Sequence, residues 1–251
     1  MPASRLRSPG PTTTIAPEVP LDRPPPTPDH VVIFGRPGSG KSSLAERLGR
    51  ELNYTLVRTG ELLRQAVRVD DFVGRRVGDH LARGFLVPDS LIAELLRLEL
   101  AALGPRRLLF DGFPRTIGQV PTLDQFEAEF QFRIGRFVEV AIDREAAMAR
   151  MAGRRICPTC GATYHLAFKP PRVEARCDLD GAALVIRPDD DPGVIGVRQD
   201  AHDENARPIL DHYRAVAPDR FVEIDGDAPF EDVYAAISRA IRDGTAGPRT
   251  S

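Results

Sequence analysis

The sequence predicts an α/β fold in which a parallel five-stranded sheet carries helices on both faces. One observation behind this prediction is that short apolar, β-rich runs alternate with segments of helical spacing along most of the 251 residues, a pattern typical of parallel sheets. The other is the run His30-Val-Val-Ile-Phe34, which a glycine-rich loop joins to a segment with leucines at helical spacing. Parallel sheets bind ligands at the carboxyl ends of their strands, so we expect the functional residues there.

The elements follow in chain order from these periodicities. We predict strands at residues 30–34, 54–57, 107–110, 137–142 and 220–224. We predict helices at residues 43–52, 60–83, from 88 onward, 121–130, 144–155, 194–216 and 230–241.

The second and third helices carry further expectations. Gly74, Gly78 and Gly84 should interrupt the second helix, because glycine is a weak helix former. In the third helix, Asp89 or Ser90 should cap the N-terminus. The expected buried stripe of the third helix is Leu91, Leu95 and Leu98.

We expect the ordered core to span residues 30–243. Residues 1–29 are dense in proline and poor in large apolar side chains, so they cannot offset the entropy of ordering and should form a disordered tail. A transit peptide is the alternative, since arginines and hydroxyl residues occur there. Residues 244–251 should fray as a flexible tail.

The loop after the first strand, Gly35-Arg-Pro-Gly-Ser-Gly-Lys41-Ser42, fits the pattern Gly-x-x-x-x-Gly-Lys-Ser/Thr. Glycines let backbone N–H groups approach phosphate oxygens, the next helix N-terminus adds partial positive charge, and Lys41 adds a full charge. The sequence therefore predicts a nucleotide phosphate site. Its predicted residues are Gly35, Gly38, Ser39, Gly40, Lys41, Ser42 and Ser43.

Three further segments lie at the ends of predicted elements. Asp111-Gly-Phe-Pro-Arg-Thr116, with Gln119 after it, leaves a strand end, while 59–64 follows the second strand and 84–89 precedes the third helix. With the phosphate loop, these segments make residues 30–241 resemble the adenylate kinases, which are nucleoside monophosphate kinases, in the long form with a large lid. The resemblance implies a P-loop NTPase-type core, a helical insert at 59–88 that binds the monophosphate, and a small β lid at 153–190.

The resemblance also implies a reaction, the reversible transfer of a phosphoryl group from MgATP to AMP giving two ADP. The implied catalytic residues are Lys41, Asp111, Arg115, Arg154, Arg187 and Arg198. The implied ATP contacts beyond the phosphate loop are Arg154, Thr163 and Tyr164. The implied AMP contacts are Thr59, Arg64, Phe85, Leu86, Val87, Gly112, Phe113, Pro114, Arg115, Gln119, Arg187 and Arg198. Thr116 favours AMP, because similar pyrimidine kinases tend to carry Asn there.

A second metal is predicted within the lid. Cys157 and Cys160 form one short chelating pair, and Cys177 and Asp180 form another. Three thiolates and one carboxylate at this spacing are typical of a closed, structural Zn²⁺ site, and the lids of many bacterial adenylate kinases are similar. The alternative is an unmetallated lid with a redox cysteine pair.

Composition restricts the remaining partners. A formal charge of -2 argues against nucleic acid, and without a run of about 20 apolar residues we expect no membrane span. Three cysteines cannot all pair, and two lie in a Cys-x-x-Cys, which suggests metal or reduced thiols in a reducing compartment, so we expect a cytoplasmic protein. We also expect it to be a monomer.

Some positions depart from the family pattern. Ser42-Ser43 replaces the usual Gly-Thr, Arg36 lies where small residues are commoner, and His202 takes a place usually aromatic. Other functions therefore stay open: a kinase with UMP or CMP as acceptor or GTP as donor, or a non-catalytic nucleotide sensor.

Overall fold

The computed structural model of this protein describes residues 30–69, 72–104 and 106–243. The predicted tails, 1–29 and 244–251, lie outside the described residues. The strands are β1 (His30–Phe34), β2 (Thr55–Arg58), β3 (Leu108–Asp111), β4 (Ile134–Ala141), β5 (Arg154–Ile156), β6 (Thr163–His165) and β7 (Phe221–Asp225). The helices are α1 (Lys41–Leu52), α2 (Thr59–Val69), α3 (Phe72–Arg83), α4 (Asp89–Leu103), α5 (Val120–Glu129), α6 (Arg144–Ala152), α7 (Pro192–Val216) and α8 (Phe230–Asp243).

The central sheet has five parallel strands in the order β2-β3-β1-β4-β7, which confirms the predicted sheet. β1 lies next to β3, with Ile33 in register with Asp111. The loops that leave the carboxyl ends of these two strands therefore emerge side by side, at the edge where parallel sheets bind ligands.

Helices cover both faces of the sheet, as predicted. Val31 and Ile33 of β1 pack in a cluster with α1 and α8, while Val32 and Phe34 pack in a second cluster with α2, α4, α5 and α7. All four side chains are buried. Successive side chains of a strand point to opposite faces, so a strand covered on both sides needs an unbroken apolar run.

The predicted break of the second helix is wrong at two of its three glycines. Gly74 and Gly78 lie inside α3, whereas Gly84 follows it with a φ of 74°. A glycine costs a helix only about 1 kcal/mol relative to alanine. Burial of Val77 in the core on the same helix offsets that cost.

The predicted cap and stripe of α4 are also corrected. Pro88 is the N-cap residue, and within the described chain no side chain caps this helix, because the Asp89 carboxylate bonds elsewhere. Leu98 is 64% exposed. The fully buried stripe is Ile92, Leu96 and Leu100, with Leu91 and Leu95 only partly buried. Leucines lie on several faces of α4, and packing against the sheet selects one.

The helix before the lid ends earlier than the sequence indicates, at Ala152 instead of residue 155. Arg154 and Arg155, predicted as the end of a helix, belong to β5, which pairs antiparallel with β6. Pairing with β6 overrides the helical pattern because it satisfies backbone groups that a fraying helix end would leave open. In the part of the chain that the structure describes, no helix has the length and apolar character needed to traverse a lipid bilayer.

Candidate active site

The phosphate loop joins β1 to α1 and leaves the helix N-terminus open. Gly40 is the N-cap residue, with a φ of 84°, and among the described residues no side chain caps α1. The first-turn N–H groups therefore remain available to an anion. Gly38 has a φ of 95°, and a Cβ there would collide with the backbone carbonyl of Ala147. Ser39 Oγ is buried without a hydrogen-bond partner in the described residues, as expected of a group that awaits a ligand.

Lys41 lies in a strongly positive environment. Its Nζ donates to the Arg36 carbonyl at 3.2 Å. Desolvation lowers the pKa of Lys41 to about 8; the charge of Asp111 opposes this, and the charges of Arg115 and Arg198 reinforce it. A cation so poorly compensated favours a bound anion, which restores the charged form.

A second cationic site faces this loop from α2 and the β3 loop. Arg115 Nε donates to the Gly112 carbonyl at 2.8 Å, and Arg64 Nη2 lies 3.0 Å from Glu61 Oε2. Burial, and next the positive charge of Arg198, lower the pKa of Arg115. A planar guanidinium group can donate two parallel hydrogen bonds to two oxygens of one phosphate, so the side chains of Arg64 and Arg115 suit a phosphate ligand.

One cavity joins the two cationic sites. It is lined by nine of the predicted residues, Gly35, Lys41, Arg64, Phe85, Leu86, Gly112, Pro114, Arg115 and Arg198. Four other predicted residues are buried and do not line this cavity: Thr59, Val87, Phe113 and Gln119. Thr59 Oγ1, like Ser39 Oγ, finds no partner in the described chain, so a ligand could satisfy it.

Asp89 organises the residues expected to meet the acceptor base. Its carboxylate accepts from Thr116 Oγ1 at 2.8 Å and from Gln119 Nε2 at 2.6 Å. Gln119 Oε1 accepts from the Arg115 backbone N–H at 2.7 Å. The amide of Gln119 thus already links the acceptor arginine to α4, and its contact with a base stays a prediction.

Two of the three predicted lid arginines, Arg154 and Arg198, donate to a single carboxylate. Arg154 donates to both oxygens of Asp190, whose side chain is 0% exposed, and Arg198 donates to the same residue at 2.9 Å. Arg187 Nε is buried without a partner in the described chain. Burial, and then the charge of Arg154, lower the pKa of Arg187 to about 10. The sequence marked Asp190 only as the exit from the lid, and its bridging role depends on tertiary contact.

The remaining donor-side residues are dispersed. Ser42 and Ser43 are exposed in the first turn of α1, and Asp111 is buried at the end of β3. Thr163 lies on β6. Tyr164 is 5% exposed inside the lid, where its hydroxyl accepts from the Asp178 N–H at 2.7 Å, so its predicted contact with ATP stays a prediction.

The four predicted metal ligands come together in the lid. One ligand atom from each of Cys157, Cys160, Cys177 and Asp180 lies within 4.8 Å of the others. Cys160 Sγ and Cys177 Sγ are 3.5 Å apart, and Cys157 Sγ lies 3.2 Å from Asp180 Oδ2. Zinc–sulfur bonds of about 2.3 Å at tetrahedral angles would place sulfurs about 3.8 Å apart, so the donor set fits a metal ion of this kind.

His202 also lines the cavity, beside Lys41. Burial, and then the charges of Lys41 and Arg36, lower the pKa of His202 to about 4, so its imidazole is neutral near pH 7. The sequence marked this residue only as a departure from an aromatic side chain, and nothing in its spacing along α7 indicates that it reaches the cleft.

Comparison with known proteins agrees with this geometry. The sequence model of the adenylate kinase family matches residues 33–217, which include the cavity and the lid. The chain belongs to the adenylate kinase family. It is 34% identical to the adenylate kinase of Pyrococcus abyssi over 83% of this chain and 93% of that protein. It is also 35% identical to the adenylate kinase of Exiguobacterium sibiricum over 83% of this chain and 96% of that protein, and 34% identical to that of Carboxydothermus hydrogenoformans over 84% and 99%.

Membership in the adenylate kinase family confirms the resemblance carried by the phosphate loop and the Asp111–Thr116 run. It also explains why the cavity has two cationic ends, since a nucleoside monophosphate kinase must hold two phosphorylated substrates at once.

Proposed function

We propose that this protein transfers the terminal phosphoryl group of MgATP to AMP, giving two ADP, in a reversible reaction. The observation that carries the proposal is the single cavity lined both by Lys41 of the phosphate loop and by Arg64 and Arg115 of the second cationic site. A phosphoryl group held at one end lies within reach of an acceptor phosphate held at the other, and family membership supports ATP and AMP as the pair.

The donor end would hold ATP. The loop amides and Lys41 would bind the β and γ phosphates, while Arg154, Thr163 and Tyr164 would approach from the lid. Mg²⁺, bound with ATP, would offset part of the negative charge of the phosphates. Its oxygen ligands here would be the Ser42 hydroxyl and, through water, the Asp111 carboxylate. Ser42 lies in the first turn of α1 and Asp111 ends β3, and hard oxygen donors of this kind fit this ion.

The acceptor end would hold AMP. Arg64 and Arg115 would bind its phosphate with planar forks. Thr59, Gln119 and residues 85–87 would contact the adenosine, with the Asp89 network holding Gln119 and Thr116 in place. A donor and an acceptor site of this kind account for the two phosphate-binding motifs in the sequence.

In the transfer step the bond from Pγ to the β,γ-bridging oxygen breaks, and a bond from Pγ to an oxygen of the AMP phosphate forms. No general base is needed, because the attacking phosphate is already anionic. Negative charge spreads over the equatorial oxygens of the migrating group, and Lys41, Arg154, Arg187 and Arg198 would surround it with fixed positive charge. The insert at 59–88 and the lid at 153–190 would exclude water, which otherwise hydrolyses ATP.

An acceptor panel tests the assignment. Purified protein is given MgATP with AMP, GMP, UMP or CMP, and MgGTP with AMP, and nucleoside diphosphate release is measured. We expect AMP with ATP to be the fastest pair, and Arg115→Ala to lower its rate by at least about 100-fold. Faster turnover with UMP or CMP would show a pyrimidine kinase, and nucleotide binding without transfer would show a sensor.

We also propose that the lid ligands hold a structural Zn²⁺ with no part in the chemistry. Only a small apolar cluster, centred on Cys157, Tyr164 and Cys177, packs inside the lid, so metal binding would supply much of its folding free energy. We expect one zinc per chain by elemental analysis, and loss of that zinc with a lower Tm in Cys160→Ser. A metal-free native protein with an unchanged Tm would contradict the proposal. A cytoplasmic monomer stays a prediction.

A further inference from the structure

The side chain of Arg36 extends away from the phosphate loop and contacts residues of other elements. Its Nε donates to the Ile142 carbonyl at 3.2 Å, its Nη1 donates to Gln199 Oε1 at 2.9 Å, and its Nη2 pairs with Asp203 Oδ1 at 2.7 Å. All three guanidinium nitrogens are thus engaged, and the Arg36 side chain is only 17% exposed. The sequence marked this arginine as a departure from the small residues expected here and assigned it no role.

The two side chains that pair with the Arg36 guanidinium form one row of α7. Gln199 and Asp203 are four positions apart, so they lie one above the other on the same helix face. Gln199 is 0% exposed, and its Nε2 donates back to the loop at the Pro37 carbonyl at 2.8 Å. The phosphate loop and α7 therefore contact each other through several directional hydrogen bonds between buried and partly buried groups, which restrict rotation of the helix about its axis.

The neighbouring row of α7 carries the groups that line the cavity. Arg198 and His202 are also four positions apart, and each lies one position before its counterpart in the first row. Successive helix residues are about 100° apart, so rotation of α7 that breaks the Arg36 contacts would also turn Arg198 out of the cleft. Arg198 in turn donates to Asp190, which holds Arg154 of the lid.

Arg36 also contacts Lys41 through its backbone. The Arg36 backbone carbonyl accepts from Lys41 Nζ at 3.2 Å, while its guanidinium is tied to α7. One residue therefore links the loop lysine at one side of the cavity to the helix that carries Arg198 at the other.

We propose that Arg36 is a positioning residue for phosphoryl transfer, which fixes α7 against the phosphate loop so that Arg198 stays aimed at the migrating group. This inference rests on the proposed function. Lysine could not replace Arg36, because one ammonium on a flexible stem cannot reproduce a planar fork with three engaged nitrogens.

The test compares Arg36→Ala, Arg36→Lys, Gln199→Leu and the double variant Arg36→Ala/Gln199→Leu with the wild-type protein. Arg47→Ala is the matched control, since Arg47 is also a multiply paired arginine, with contacts to Glu51 and Glu231 at 2.9 and 2.7 Å, but lies on the α1–α8 face. Steady-state kcat and KM for both nucleotides, Tm, and amide hydrogen exchange across α7 are measured.

We expect Arg36→Ala and Arg36→Lys each to lower kcat by about 10- to 100-fold, as misplacement of a group by about 1 Å can do. KM for either nucleotide should change much less, because loss of a transition-state contact lowers kcat and kcat/KM together. The double variant should be no slower than the slower single variant, since both substitutions break one linkage. Arg47→Ala should keep the wild-type kcat.

Two results would overturn the inference. One is a wild-type kcat in Arg36→Ala with only a lower Tm, as expected of a purely structural arginine. The other is an additive loss in the double variant. Faster hydrogen exchange across α7 in Arg36→Ala needs no turnover, so it tests the linkage even if the wild-type protein transfers no phosphate, an outcome that would refute the proposed function separately.

Discussion

The lowered pKa of Lys41 predicts a distinctive pH dependence of nucleotide binding. In the free protein the ammonium is desolvated among arginines, and its pKa falls from 10.5 to about 8. At about 1.36 kcal/mol per pKa unit, this corresponds to an upper limit of about 3 kcal/mol against the charged form. Water that enters the open cleft screens part of this cost.

The sign of the effect follows from proton linkage. Below pH 8 the folded protein keeps Lys41 charged, and the cost of that buried charge lowers the free energy of unfolding. Between pH 8 and 10.5 the folded state releases this proton while the unfolded state retains it, so this contribution makes the protein more stable as pH rises. A bound phosphate favours the charged form, so nucleotide affinity should fall by up to tenfold per pH unit above pH 8.

Calorimetric titration with ATP between about pH 7.5 and 9.5 measures this dependence, in a range where the nucleotide phosphates are fully ionised. We expect constant affinity up to about pH 8 and a progressive loss above it. Lys41→Arg should remove the break, since guanidinium stays charged throughout. Lys169→Arg, in the exposed part of the lid, should retain it.

A flat profile in the wild-type protein, or a break that persists in Lys41→Arg, would refute this reasoning. The first result would mean that the cleft solvates the ammonium as well as bulk water does. The second would assign the titration to another group that lines the cavity, of which Glu139 is the first candidate, since burial, reinforced by the charge of Glu223, raises its pKa to about 7.

Two further predictions concern the loop and the lid hinge. Gly38→Ala should lower Tm, because its Cβ would meet the backbone of Ala147. Gly40→Ala, whose Cβ would meet no protein atom among the described residues, should lower Tm by a smaller amount and weaken ATP binding. Thermal unfolding and calorimetric titration with ATP compare the two variants. Equal losses of stability in both would contradict this account. Asp190→Asn should destabilise the protein by about 3 kcal/mol, since it removes the buried carboxylate charge that two partly buried guanidinium groups share. Denaturant unfolding measures this change, and an unchanged midpoint would show that solvent already compensates the charges of Arg154 and Arg198.

Much of the fold could be predicted because the signals are local. The run from His30 to Phe34 is apolar at every position because both of its faces are covered, and the glycine loop after it needs backbone conformations and close approaches that few other residues allow. The order of strands and helices follows from such runs. The phosphate loop and the run from Asp111 to Thr116 also carry enough information to indicate a nucleoside monophosphate kinase.

Details that depend on which face of a helix packs could not be predicted in this way. Leucines on several faces of α4 made Leu98 as plausible a core residue as Leu96, and only contact with the sheet distinguishes them. The same applies to Arg154, where pairing between β5 and β6 overrides a helical pattern.

Local patterns in the chain indicate a parallel α/β core with two phosphate-binding motifs and a set of lid residues spaced for a metal, because each of these depends on residues close together in the chain. Folding in three dimensions is what brings Lys41, Arg64 and Arg115 to one cavity, joins Arg154 to Arg198 through Asp190, and links the phosphate loop to α7 through Arg36. These contacts join residues far apart in the chain, so no local pattern encodes them, and they form only when the sheet brings distant segments to one edge.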